Sequence, residues 1–213
     1  MAQMFSSRQN GSDLMQEELV SLLSARKGHF RLESGHHGDL WLDLDPLFLR
    51  PGHLRRFTVE LARRLSAHDI DAVCGPLAGG AFLAQMVAVE LDVEFYYAER
   101  IVRAPGDASS TVEYRLPSTL RPRVRGKSVA IVDDVINAGS AVRGTFADLQ
   151  ACGARPVAMG ALLVLGSSAS GLAADRNVAL ESIGYLANEL WAPSECPLCA
   201  SRVPLENTAG QPQ

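Results

Sequence analysis

Four short apolar runs, separated by stretches of helical periodicity, constrain the fold of this 213-residue chain more than any other feature. The runs occupy positions 72–75, 93–97, 129–132 and 157–165. None of them alternates polar and apolar residues, which is typical of strands in a parallel sheet that helices cover on both faces. Helical patterns fill positions 81–91 and 145–151. The sequence therefore predicts an α/β domain with a central parallel sheet flanked by helices.

The N-terminal part of the chain is predicted to contain two helices and a strand pair. A capping-box pattern begins an amphipathic helix that runs from Asp13 to about Lys27. Two apolar runs, 29–32 and 40–44, flank a segment of turn residues and predict paired strands. Positions 53–66 carry apolar residues at helical spacing with arginines on the other face. These elements precede the first run of the predicted sheet.

Charge and apolar length narrow the class of protein. A formal net charge of −4 argues against nucleic acid as the main ligand, because neutralising a phosphate backbone requires a basic face. The N-terminal residues lack the pattern of a secretory signal, and the longest apolar run, 157–165, is too short to span a bilayer. We therefore expect a cytoplasmic protein that binds neither membranes nor nucleic acid and keeps its four cysteines reduced.

The segment 129–141 carries the strongest functional signal. A buried strand ends in Asp133 and Asp134, and a loop of small residues around Gly139 leads into a helix. Small residues let backbone N–H groups approach an anion, and the helix that follows adds the positive end of its dipole. Two carboxylates at the carboxyl end of a strand are placed to accept hydrogen bonds from vicinal hydroxyls. A phosphate site beside a diol site predicts a ribose 5-phosphate ligand.

Two commoner nucleotide motifs do not fit this region. Positions 126–128 resemble the end of a P-loop, but Arg121 stands where its leading glycine belongs, and the triplet precedes a strand instead of following one. No glycine-rich dinucleotide fingerprint follows any predicted strand. An acid pair at a strand end is by itself more often a helix cap or part of a solvated turn. The small-residue loop beside it is what favours a binding site here.

The apolar strand, acid pair and small loop of 129–141 resemble the phosphoribosyl pyrophosphate motif of the type I phosphoribosyltransferases, most closely in its orotate phosphoribosyltransferase form. Three other segments are similar to the orotate enzymes. Positions 26–35 resemble their N-terminal hood segment, 75–80 their pyrophosphate loop, and 96–100 the strand that leads into their mobile catalytic loop. The resemblance covers most of residues 20–165.

The resemblance implies a fold and a reaction. It implies one phosphoribosyltransferase-like domain over 1–213, with a core at about 52–165, a small hood from about 20–50 and 178–205, and a disordered tail at 206–213. The implied reaction transfers ribose 5-phosphate from phosphoribosyl pyrophosphate to a nitrogenous base, orotate in this branch, and forms orotidine monophosphate in pyrimidine biosynthesis. Magnesium is expected as the cofactor, carried by the pyrophosphate and not by protein side chains, and a homodimer is expected.

The same resemblance assigns roles to individual residues. Asp133 and Asp134 would hold the ribose hydroxyls. The 5-phosphate would be held by Asn137, Ala138, Gly139, Ser140 and Ala141. Leu77, Ala78 and Gly79 would contact pyrophosphate through their backbone. Base contacts are assigned to Arg26, Lys27 and Trp41, although Trp41 also suits packing within the hood.

The chain departs from the orotate pattern in the mobile loop. Lysines and a histidine are expected there, but Lys27 and Lys127 are the only lysines and the interval 101–126 contains no histidine. Arg100 and Arg103 are expected to replace them as catalytic groups, and Arg115 is a further candidate, because guanidinium matches phosphate oxygens in a bidentate way. This long interval with little periodicity is either a lid or an excursion without function.

Three other positions also depart from the pattern. Gly79 stands where the pyrophosphate loop has a lysine, Leu165-Gly166 replaces an Asp-Arg pair that binds the base carboxylate, and Asn137 replaces a threonine. Two alternatives therefore remain open. One is a phosphoribosyltransferase for another base, and the other is a non-catalytic relative that senses phosphoribosyl pyrophosphate.

Cys196 and Cys199 have the knuckle spacing of a zinc site. A structural site needs two more ligands, and the C-terminal segment offers no second pair, while Cys74 and Cys152 are predicted in the core. Packing of a C-terminal hook is the alternative to zinc, and a zinc-dependent interaction module would lose its fold with a chelator. His36 and His37 are predicted in an exposed turn without a role.

Overall fold

A computed structural model describes residues 13–32, 34–102 and 112–207 of the chain. The strands are β1 (Ser24–Arg31), β2 (His37–Asp43), β3 (Ala72–Pro76), β4 (Glu94–Val102), β5 (Val112–Arg115), β6 (Ser128–Ile136), β7 (Arg155–Leu165), β8 (Ala179–Leu186), β9 (Leu190–Trp191) and β10 (Glu206–Asn207). The helices are α1 (13–21), α2 (Asp45–Phe48), α3 (Pro51–Leu65), α4 (Gly79–Leu91), α5 (Ser140–Ala151), α6 (Ser168–Arg176) and α7 (Pro197–Ala200).

The larger sheet has six strands in the order β5-β4-β3-β6-β7-β8. All neighbours pair in parallel except β4 and β5, which are antiparallel. The predicted α/β fold with a central, mostly parallel sheet is confirmed. The antiparallel edge strand β5 was not predicted, since its four residues lie inside the aperiodic interval 101–126.

Two apolar layers cover the larger sheet. Helix α5 packs on one face through Phe146 and Leu149, and α6 adds Leu172 there. Helices α3 and α4 pack on the other face, where Phe57 and Leu83 are fully buried. Both faces of the inner strands are thereby removed from water, which explains why these strands lack polar alternation.

The smaller sheet has four strands in the order β10-β1-β2-β9 and forms the hood. Strands β1 and β2 are antiparallel, as the predicted strand pair requires, and the C-terminal segment adds one short strand to each outer edge. A bulge between Lys27 and Phe30 shifts the register of β1 by one residue. The hood is thus built from both ends of the chain.

Three predicted boundaries and the predicted exposure of one residue, His37, were wrong. Helix α1 ends at residue 21 and not near Lys27, because residues from 24 onward pair with β2. Positions 179–186 belong to the main sheet and not to the hood, since β8 extends the parallel order beside β7. In the predicted tail, positions 206–207 pair with β1, and positions 208–213 lie outside the described residues. His37 lies buried in β2 and not in an exposed turn.

Cys74 in β3 and Cys152 after α5 lie in the core, as predicted, and all four cysteines are free. Burial raises the pKa of the Cys74 thiol well above its usual range. Across the described ranges, no helix combines the length and the apolar character that crossing a membrane requires.

Candidate active site

A cavity of about 570 Å³ opens at the carboxyl edge of the main sheet. It lies over β3 and β6, which are neighbours in the sheet although their connections lead to opposite sides, β3 to β4 and β6 to β7. Ligands of open α/β sheets bind at such a switch point. The segments 76–80 and 133–141 form the floor, and hood residues from 32–44 form the facing wall.

The acid pair lies in the last part of β6 and lines this cavity. The backbone N–H of Asp134 donates to Asp133 Oδ1 (3.1 Å), and the N–H of Val135 donates to Asp134 Oδ1 (2.8 Å). Burial raises the pKa of the Asp134 carboxyl, and the negative charge of Asp45 adds to the rise. Ionisation of the Asp134 carboxyl is therefore costly in this site, and a hydroxyl donor or a cation would offset that cost.

The loop at 76–80 packs directly on this acid pair. A Cβ added to Gly79 would lie 2.8 Å from Asp134 Cγ and closer still to Asp134 Oδ2, and one added to Gly80 would meet Asp133 Oδ1 and Pro76 Cδ, the latter at 2.8 Å. Real Cβ atoms do not approach other atoms so closely. The lysine expected at position 79 from the family pattern therefore has no room here, because the carboxylate of Asp134 occupies its space.

The loop after β6 has the geometry of an anion cradle. Gly139 adopts a left-handed conformation (φ 73°) immediately before α5, a helix of 12 residues. All of the predicted phosphate-binding positions, 137–141, line the cavity at the N-terminal end of that helix. Backbone N–H groups at a helix start attract anions through unpaired donors and the helix dipole.

The second floor segment, 77–79, also lines the cavity, and the peptide bond between Leu77 and Ala78 is cis. The N–H of Leu77 donates to the carbonyl oxygen of Ala98 in β4 (2.9 Å), which ties this loop to the sheet. Helix α4 begins at Gly79, so a second helix N-terminus faces the cavity. Two helix N-termini and a carboxylate pair that line the same cavity suit a ligand with more than one phosphate group.

A family model described as "Phosphoribosyl transferase domain" matches residues 53–202. The chain belongs to this phosphoribosyltransferase family.

Curated relatives of this phosphoribosyltransferase include two named orotate phosphoribosyltransferases. The one from Caldanaerobacter subterraneus is 31% identical over 179 residues, which cover 84% of this chain and 87% of the relative. The one from Thermotoga maritima is 30% identical over 193 residues, which cover 91% of this chain and 96% of the relative.

Solved structures share the fold of this phosphoribosyltransferase. An orotate phosphoribosyltransferase from Aeropyrum pernix has a TM-score of 0.57 at 24% identity and covers 82% of this chain and 93% of its own. An adenine phosphoribosyltransferase from Thermoanaerobacter pseudethanolicus has a TM-score of 0.61 at 18% identity, with 80% and 99% covered. These likenesses confirm the fold, and the acceptor base is a separate question.

The arginines predicted to be catalytic fall in three different places. Arg100, near the end of β4, lines the cavity of the phosphoribosyltransferase. Arg103 lies outside the described residues. Arg115 does not line the cavity, and its guanidinium pairs with Glu113 Oε2 (2.7 Å). Among these three residues the structure thus brings Arg100 to the site.

The residues predicted to contact the base are also divided. Trp41 lines the hood wall of the cavity beside Leu40 and Leu42. Arg26 pairs instead with Glu206 Oε2 (3.3 Å), and Lys27 Nζ lies 3.9 Å from Asp39 Oδ2. Neither Arg26 nor Lys27 lines the cavity, because the strand that replaces the end of the predicted helix directs them to partners within the hood.

Two residues near the site were missed by sequence reasoning. Tyr114 of the unpredicted strand β5 lines the cavity and packs so closely on α5 that a Cβ at Gly144 would lie 2.9 Å from its ring. Asn188 donates from Nδ2 to Asn137 Oδ1 (2.9 Å) and orients that amide at the cradle. No local pattern identifies Asn188, since it lies 51 residues away from its partner.

Proposed function

We propose that this phosphoribosyltransferase is a cytoplasmic enzyme that transfers the 5-phosphoribosyl group of phosphoribosyl pyrophosphate to orotate and releases pyrophosphate. The observation that carries this proposal is the carboxylate pair Asp133 and Asp134, which lines one cavity together with the N-terminal loops of helices α4 and α5. The orotate branch is supported by the names of relatives at about 30% identity over most of the chain.

We propose that each segment of the cavity binds one part of the substrate. The 137–141 cradle would bind the 5-phosphate, and Asp133 and Asp134 would accept hydrogen bonds from the ribose hydroxyls. The backbone of 77–79 and the N-terminus of α4 would bind the pyrophosphate. In the reaction a ring nitrogen of the base bonds to C1 of the ribose, the C1–O bond breaks with its electron pair leaving on pyrophosphate, and the nitrogen's proton passes to solvent. The protein contributes mainly orientation and charge stabilisation.

We propose magnesium as the cofactor. Mg²⁺ prefers oxygen ligands and combines readily with substrate phosphates and water, so the pyrophosphate would carry the ion, and the carboxylates of Asp133 and Asp134, which line the same cavity, would attract it without ligating it. When bound, the ion would neutralise charge on the pyrophosphate leaving group. Arg100 would add a positive charge from the protein on the same side.

The test is pyrophosphate release from phosphoribosyl pyrophosphate and magnesium with a panel of orotate, uracil and purine bases, alongside calorimetric binding of phosphoribosyl pyrophosphate alone. We expect turnover with orotate. Asp134→Asn should abolish it, whereas Asp92→Asn should not, because Asp92 ends α4 in a left-handed conformation that asparagine also adopts. Turnover with another base only would contradict the orotate proposal, and binding without any turnover would identify a sensor.

We also propose that the chain forms a homodimer. Helix α4 presents Phe82 and Val89 to solvent, and Leu49 before α3 is exposed as well. A helix that is apolar on all sides is normally covered on all sides. Sedimentation equilibrium should show a dimer that Val89→Glu dissociates, and a monomeric parent protein would refute this proposal.

A further inference from the structure

The hood contains a group of four metal-ligating side chains that lies outside the cavity. His29 of β1, His37 of β2, Cys196 and Cys199 each offer one ligand atom, and these atoms all lie within 4.8 Å of one another. The two cysteines flank the start of α7, and their contacts with the histidines join residues 162 to 170 positions apart in the chain. The second pair of ligands that the C-terminal segment lacks is therefore supplied by the opposite end of the chain.

The spacing of the ligand atoms fits a tetrahedral ion. His29 Nε2 and His37 Nδ1 are 3.0 Å apart. Cys196 Sγ lies 3.4 Å from His29 Nε2, and Cys199 Sγ lies 3.7 Å from His29 Nε2 and 3.3 Å from His37 Nδ1. With Zn–N near 2.0–2.1 Å and Zn–S near 2.3 Å, a tetrahedron places its nitrogens about 3.3 Å apart and nitrogen and sulfur about 3.6 Å apart. The four distances given above lie within about 0.3 Å of these edges, and the other two ligand-atom pairs are at most 4.8 Å apart.

The surroundings orient His29 as a ligand. Its Nδ1 lies 2.9 Å from the carbonyl oxygen of Val203, which accepts a hydrogen bond and therefore requires the proton on Nδ1. The lone pair of Nε2 then points at the other three ligands. Histidines that bind metals generally donate their second ring N–H to such an acceptor. The β1 bulge between Lys27 and Phe30 includes His29 and sets the direction of its side chain.

The donor set indicates the metal. His29, His37 and Cys196 are buried, and Cys199 is exposed and provides access from solvent. Two imidazoles and two thiols select zinc over magnesium or calcium, which prefer oxygen. We propose that His29, His37, Cys196 and Cys199 bind one Zn²⁺ ion in a closed, structural Cys₂His₂ site. Four protein ligands leave no position for substrate, so the ion has no part in the transfer reaction.

This ion would couple the two ends of the chain. The C-terminal segment also pairs with the hood through two short strands, β9 on β2 and β10 on β1. Strand β2 also carries Leu40, Trp41 and Leu42 to the cavity wall. The zinc site therefore anchors the C-terminal segment and holds strand β2, which forms part of the cavity wall.

The experiment measures zinc in the full-length, untagged protein purified in metal-free buffer and loaded with Zn²⁺ followed by gel filtration. We expect about one zinc per chain, and in the cobalt-loaded protein the visible bands of tetrahedral Co²⁺ with a thiolate charge-transfer band. Cys199→Ser should lower the zinc content at least tenfold. Because Cys199 is exposed, this variant tests the site without opening a cavity in the core. Thermal unfolding of the zinc protein should occur at a lower temperature after chelation.

Two matched controls separate this site from adventitious binding. Cys152→Ser removes a cysteine outside the cluster. His36→Ala removes the histidine next to His37, and the ring of His36 contacts Ser34 Oγ and not the cluster. Both should keep full zinc content. The proposal is overturned if the loaded parent protein holds no zinc, if Cys199→Ser keeps the same amount, if the cobalt spectrum is octahedral, or if Cys196 and Cys199 are isolated as a disulfide. These results do not depend on the base that the enzyme uses.

Discussion

Replacing Gly79 with alanine tests the contact that joins the two halves of the site. Gly79 begins α4 and is not among the glycines with positive φ, so its backbone accepts alanine. The added methyl would lie 2.8 Å from Asp134 Cγ and 3.2 Å from Phe48 Cε2, with Asp134 Oδ2 closer still. Since Asp134 is held by the N–H of Val135, its carboxylate cannot rotate away without breaking that hydrogen bond.

The expected magnitude follows from two opposed terms. Overpacking costs about 1–3 kcal/mol, and alanine in place of glycine at a compatible helix position stabilises by about 0.4–1 kcal/mol. We expect a net loss of about 1–2 kcal/mol in the free energy of unfolding, or about 2–8 °C in Tm for a chain of this size. Displacing Asp134 removes a hydrogen bond to a charged group, worth about 1.5–3 kcal/mol, so affinity for phosphoribosyl pyrophosphate should fall roughly 10- to 150-fold.

Urea denaturation and isothermal titration calorimetry with phosphoribosyl pyrophosphate and magnesium measure the two effects. Gly171→Ala is the matched control, because Gly171 lies inside α6 and a Cβ there would meet nothing within 4 Å. This control should gain about 0.5–1 kcal/mol in stability and bind ligand normally. If Gly79→Ala binds within twofold of the parent protein and is equally stable, the packing of Gly79 on Asp134 does not shape the site.

Three further predictions use the same assays. Asp134→Asn should raise the free energy of unfolding near pH 7. The pKa of Asp134 is raised in the folded protein, so the parent protein loses stability as the pH rises above 3.8, the ordinary pKa of an aspartate, and the asparagine variant does not. The difference should vanish in acid, where both side chains are neutral. Gly139→Ala should cost about 1–2 kcal/mol in the urea assay, because φ is 73° there, and should weaken ligand binding; an unaffected variant would contradict the left-handed geometry. Hydrogen bonds from Arg63 and Arg64 lower the pKa of Glu60 to about 2. Glu60→Gln should therefore lower the free energy of unfolding by on the order of 1 kcal/mol above about pH 4.5, and this loss should disappear as the pH falls toward 2.

The main sheet was predictable because burial on both faces leaves a mark on consecutive residues. Strands β3, β6 and β7 and the helices between them follow directly from apolar runs and helical spacing. The wrong predictions concern segments whose structure is set by pairing with another strand and not by their own sequence pattern. Positions 24–27 look helical but pair with β2, and β8 was assigned to the hood because nothing local tells which sheet a strand joins.

The acid pair and the cradle were predictable because nine adjacent positions, 133–141, contain both and all of them line the cavity. The close packing of Gly79 on Asp134 was not predictable, since that contact joins segments more than fifty positions apart. The family pattern expects a lysine at position 79, and only the packed loop shows that a carboxylate has taken its space. Arg26 and Lys27 were assigned to the base on sequence position alone, and hood pairing directs them elsewhere.

The C-terminal cysteines show the same division. Their spacing indicates a metal knuckle, but the sequence names no partners, and His37 looks like an exposed turn residue. Strand pairing buries His37 beside His29 and brings both to Cys196 and Cys199. The fold class, the loop at 133–141 and the two-cysteine half of the hood cluster were predictable, because each is encoded in contiguous residues. Tertiary structure alone decided which distant groups meet, because strand register and burial depend on the whole chain.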